Sequence, residues 1–157
     1  MRPSDEPGNV KGDLLHIVGW AGVRWPSNWS SGLLIFERCL VYSGGHTLAW
    51  VIEGGTEGLV QKVTGHGEKP EIAAHQHYDA RLALIAGLNL DQIVALNPAN
   101  WYVWSKDVKR WRLRRGVAAS RLRLKLSDGT RRKVLWAHWA NSFPPVRDAL
   151  ERALPPR

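Results

Sequence analysis

The chain has 157 residues, 44% of them hydrophobic, which suits one globular domain with a core of its own and excludes a disordered chain. The formal net charge of +8 points to an anionic partner or field rather than to a particular fold. The single Cys39 excludes an internal disulfide, and its place in an apolar run reads as a buried, inert thiol.

Residues 1–12 carry Pro3, Pro7, Gly8 and Gly12 among charges and read as a flexible N-terminal arm. Residues 13–157 read as a single domain. Asp5, Glu6 and Asp13 stand where an export leader would be basic. The apolar run Leu14–Val23 is too short to span a bilayer, so no transmembrane segment is expected. The expected location is cytoplasmic, or peripheral to a membrane.

Leu14–Val18 reads as a first strand, followed by a loop at Arg24–Gly32 that holds Trp25 and Trp29. Two apolar runs, Leu33–Phe36 and Cys39–Tyr42, are divided by Glu37–Arg38. Leu48–Ile52, with Trp50, reads as a further strand, and Thr56–Thr64 suits either a helix or a strand. Glu71–Ala86 has helical spacing and stops at Gly87. Leu90–Leu96 reads as a short helix ended before Pro98, so 71–97 reads as a helical stretch. Trp101–Trp104 is a short aromatic strand and Ser105–Val108 a bend or a turn of helix.

From Arg110 to Lys133 the pattern sharpens. Arg110–Arg114 and Arg121–Leu126 alternate cations with apolar residues at period two. One side of a sheet then receives Trp111, Leu113, Leu122, Leu124 and Leu126. The other receives Arg110, Arg112, Arg114, Arg121, Arg123 and Lys125. Between Lys106 and Lys133 twelve Lys or Arg stand against Asp107 and Asp128, a local balance of +10, so the rest of the chain is slightly acidic. Asp128–Gly129 marks a hairpin, and Arg132–Trp136 returns. Pro144–Pro145 opens a last amphipathic helix, Val146–Leu154, which Pro155–Pro156 ends. Strands, helices, strands and a closing helix make an α+β arrangement on antiparallel sheet.

The stretches LNLDQIVALNPANWYVWSKDVKRWRLRRG, RLRLKLSDGTRRKVLW and VRDALERAL, in that order, resemble bacterial pleckstrin-homology-like domains. The earlier GLLIFERCLVYSGG resembles the first strands of the same superfold, which GRAM-type domains share. The likeness covers roughly two-thirds of the chain. It implies an antiparallel β-barrel or sandwich closed by the C-terminal helix, with the helical stretch inserted between the sheets. Lipid-binding members carry cations around their first hairpin loop, where this chain offers only Arg24 and Arg38.

Six cations on one strand pair suit an anionic partner, since guanidinium groups fork onto phosphate or carboxylate oxygens. The plain alternative is a solvated sheet face whose charges discourage edge pairing. His75, His77 and Asp79 do not make a ligand set: His75 and Asp79 share a helix face and His77 points elsewhere. No metal and no cofactor is expected. Nucleophile-elbow, phosphate-loop and dinucleotide motifs are absent, so no catalysis is expected. Trp25, Trp29, Trp101 and Trp104 are candidates for a partner interface, because interface cores are rich in Trp and an aromatic edge strand can pair with a second copy. The reading is a non-catalytic binding or adaptor module with a basic sheet face, its partner an anionic lipid headgroup or an acidic protein surface. The alternatives are a nucleic-acid-binding module using the same cations and a self-associating structural subunit, such as a homodimer.

Overall fold

The structure is a computed structural model that describes residues 10–23, 31–44, 83–139 and 141–156. Strands β1 (Leu14–Gly19), β2 (Gly32–Phe36) and β3 (Cys39–Ser43) come first. After a helical stretch at 83–86 follow helix α1 (Leu90–Leu96), strand β4 (Trp101–Trp104) and a 3-10 turn at Ser105–Asp107. Strands β5 (Val108–Arg115), β6 (Ala119–Leu126) and β7 (Arg131–Ala137) lead to helix α2 (Phe143–Ala153). The strands form two antiparallel sheets, β1-β2-β3-β4 and β5-β6-β7.

The two sheets read differently because they are buried differently. Every residue of β2 and β3 is buried, so neither strand alternates in polarity. Leu33, Ile35, Leu40 and Tyr42 face the second sheet, joined by Trp101 and Val103 of β4. Leu34, Phe36, Cys39 and Val41 face the other way and pack under Ile85, Leu90 and Ile93. The first sheet is thus covered on both sides. The second is covered on one, and β5 and β6 alternate strictly once past a bulge between Val108 and Arg110. Lys109 is the extra residue, which lets Val108 and Trp111 both face inward with two exposed cations between them.

Val146, Leu150, Ala149, Ala153 and Leu154 join α2 to the core between the sheets, alongside β1 and β2. The Trp111 indole N–H donates to the Pro155 carbonyl at 2.8 Å, tying the end of the chain to β5. Asn89 and Gln92 cap α1 reciprocally, side chain to backbone N–H in both directions. Asn100 joins α1 to β3: its side chain donates to the Ile93 carbonyl at 2.7 Å and accepts from Gly44 N–H at 2.8 Å.

The expected closure into a barrel is not seen. Among the described residues the sheets meet at one isolated bridge, Gly22 with Leu135, where each N–H donates to the other's carbonyl. Trp20 turns the chain from β1 toward that bridge with a φ of 56°, a left-handed conformation that a bulky side chain adopts at some cost. Of the expected helical stretch, residues 83–96 are described. That described part falls between β3 and β4, neighbours in one sheet, and Ile85, Leu90 and Ile93 cover the outer side of that sheet. The expected strand at Leu48–Ile52, the ambiguous Thr56–Thr64 and the helix before residue 83 lie outside the described residues. So do residues 1–9 of the expected arm, whereas Lys11 and Gly12 are buried against the β2–β3 turn. There Arg38 N–H donates to the Lys11 carbonyl at 3.0 Å, and the Lys11 ammonium donates to the carbonyls of Ala86 and Leu88.

Cys39 is buried as expected. Burial pushes its thiol up to about 12, against the opposing pull of Lys11. The thiolate is the reactive form. An aromatic disulfide reagent at pH 8 is therefore expected to leave the native protein unmodified and to react with one thiol per chain once the protein is unfolded in guanidinium. Rapid reaction in buffer alone would place Cys39 outside the core.

Candidate anion-binding face

Backbone register sorts the cations. Across β5 and β6, Arg110 pairs with Lys125, Arg112 with Arg123 and Arg114 with Arg121. Across β6 and β7, Lys125 pairs with Arg131, Arg123 with Lys133 and Arg121 with Leu135. All eight cations are exposed, while Trp111, Leu113, Leu122, Leu124 and Val134 are buried behind them. The outer face therefore holds two full rows of three cations and a third row of two that ends in Leu135. Neighbouring strands lie about 4.8 Å apart, and same-face residues of one strand are about 6.8 Å apart. Cation thus follows cation both along and across the strands.

The six residues expected from the sequence come together on this face. Arg131 and Lys133 complete it and were missed. A run of three cations, Arg131–Arg132–Lys133, hides its period, and only the register across the hairpin assigns the outer positions. Arg132 faces inward, its guanidinium 5.4 Å from the Trp101 ring centre. Arg115, beyond the last row, donates to His138 Nδ1 at 3.3 Å.

Two turns hold the rows in register. At the β6–β7 turn Gly129 has φ 89°, and Asp128 accepts from Thr130 N–H at 2.8 Å. That hydrogen bond holds the Asp128 carboxyl below the usual carboxylate range. At the β5–β6 turn Gly116 donates to the Ala119 carbonyl at 2.9 Å, and a Cβ on Gly116 would stand 2.7 Å from that same oxygen. Glycine is required there by contact.

Like charges directly opposite one another destabilise a sheet. None of the eight cations has a carboxylate within ion-pair distance among the described residues; the ion pair found there joins Arg147 and Asp148 on α2. Asp107 and Asp128 lie at the far end of the sheet, beside a cleft of about 460 Å³ that Tyr102, Trp104 and Leu126 also line.

The expected interface residues divide. Trp101 belongs to the core, stacked on Tyr42 with ring centres 5.4 Å apart. Trp104 is half-buried on β4, the terminal strand of its sheet. Trp25 and Trp29 lie outside the described residues, as do His75, His77 and Asp79. Among the described residues no group of His, Cys, Asp or Glu could hold a metal ion, and no helix is long and apolar enough to cross a membrane.

Comparison with protein-family models, with curated proteins and with solved structures finds no match for this chain.

Proposed function

We propose that this protein is a non-catalytic binding module that engages an anionic partner through the outer face of its second sheet. The observation that carries the reading is the unbroken lattice of Arg110, Arg112, Arg114, Arg121, Arg123, Lys125, Arg131 and Lys133, with cations set directly opposite cations. A sheet face built only for solvation gains by mixing signs across strands, because opposite charges attract there and like charges repel. This face forgoes that gain at each of its five cation–cation pairs. A surface carrying phosphate or carboxylate groups supplies the missing counter-charges, and guanidinium groups meet them two bonds at a time. The architecture of a four-stranded and a three-stranded antiparallel sheet with a closing helix supports a pleckstrin-homology-like reading of the domain.

The test uses heparin as the polyanion. The wild type is expected to be retained and to elute at raised salt, and the triple variant R112E/R123E/K125E to pass through unretained with unchanged circular dichroism. A folded triple variant that elutes with the wild type would show that the lattice is merely solvated. A nucleic-acid strand would be held through its phosphates, since among the described residues no aromatic side chain of β5, β6 or β7 lies on this face to stack a base.

A further inference from the structure

We infer that the anionic partner is a lipid bilayer, and that the protein inserts the β5–β6 turn and Trp139 into its interface. This rests on the anion-binding reading above and adds an apolar element to it. Val117, at the tip of the β5–β6 turn, is fully exposed at 105%, and Trp139, just past β7, is 66% exposed. The two flank one bridge: His138 N–H donates to the Ala118 carbonyl at 3.3 Å, continuing the pairing of Ala119 with Ala137. A fully exposed valine and a largely exposed tryptophan therefore lie at one end of the cationic sheet.

What surrounds them selects the partner. Arg114 and Arg121 form the last row before the tip, and Arg115 follows. The acids of this sheet's turns, Asp107 and Asp128, are at the opposite end. Charge thus runs along the strands from a carboxylate-bearing end, through eight cations, to an apolar tip. A surface that is anionic outside and apolar beneath matches that sequence of groups. Phosphates meet the arginines, the indole settles at headgroup level, and the valine reaches the acyl boundary. The two carboxylates stand farthest from that surface and the apolar tip nearest to it, so the order of groups also sets the orientation, with the strands steep to the membrane. A nucleic-acid duplex or an acidic protein face would engage the cations and leave Val117 in water.

The tip can be altered without touching the core. Trp139 meets the Trp20 ring edge-on at 4.7 Å and keeps two-thirds of its surface exposed. The wild type is expected to sediment with phosphatidylserine-containing vesicles and not with pure phosphatidylcholine. The neutral substitutions Val117→Ser and Trp139→Ser together are expected to lower vesicle partitioning by at least about tenfold, with heparin retention unchanged. A V117C variant labelled with an environment-sensitive fluorophore is expected to shift to the blue on anionic vesicles, the native Cys39 being buried. Undiminished vesicle binding by the double variant, or an unshifted fluorophore, would overturn the insertion and leave the anion-binding face standing. So would heparin retention without vesicle binding, or preference for a DNA duplex at matched salt. Failure to bind either heparin or vesicles would remove both readings.

Discussion

Replacing Leu124 with alanine is expected to lower the stability of the fold by about 2–5 kcal/mol. Leu124 is 2% exposed at the middle of β6, the central strand of the second sheet. It pairs with Trp111 on one side and Arg132 on the other. It belongs to the cluster that joins this sheet to the first sheet and to Leu150 of α2. Truncation there removes three carbons from a packed interior and leaves a hole. The cost therefore includes lost transfer energy and a cavity. A urea midpoint that falls with an unchanged slope would show this. Arg123→Ala, one residue away on the other face, provides the control and is expected to change stability little, since exposed positions rarely matter by more than about 0.5 kcal/mol. A cost under about 1 kcal/mol for Leu124→Ala would mean that β6 has been assigned the wrong face.

That contrast rests on a pattern visible in the sequence alone. Arg121 to Leu126 alternates without interruption because one side of β6 is core and the other is open, and the same holds for β5 beyond its bulge. Where the environment is symmetric, the sequence is silent. Leu33–Phe36 is apolar throughout because both faces of β2 are covered, so nothing in its order says that Leu33 meets the second sheet and Leu34 the helices. The cover itself is non-local: Ile85 and Ile93 are placed over β2 and β3 by a chain that leaves the sheet at β3 and returns as β4. The third column of the cationic face fails for a different reason. Arg131 and Lys133 are separated by Arg132, a cation turned inward over Trp101, and composition cannot distinguish a guanidinium stacked on an indole from one in water. Trp101 carries the same ambiguity, since an aromatic edge strand can present either its rings or its backbone to a partner.

The central cation of the lattice offers a measurement in which stability and binding move in opposite directions. Arg123 stands between Arg112 and Lys133, with no carboxylate at hand among the described residues. Arg123→Glu converts two repulsive cross-strand pairs into two attractive ones. Cross-strand charge pairs contribute roughly 0.2–1 kcal/mol each, so the variant is expected to be more stable than the wild type by about 1 kcal/mol. The gain should shrink at high salt, because exposed charges are screened. Binding should respond with the other sign. The substitution removes one guanidinium from the middle of the face and sets a carboxylate where the partner's own anions must approach. Elution from heparin is then expected at distinctly lower salt than for the wild type. A residue that serves only the fold would not behave this way, because exchanging it for one that stabilises the sheet would carry no cost elsewhere. If Arg123→Glu stabilises the protein and leaves heparin affinity untouched, the lattice is an unused surface. If it destabilises the sheet, the cations are not opposed as the β5–β6–β7 register places them, and both the face and the orientation built on it would have to be redrawn.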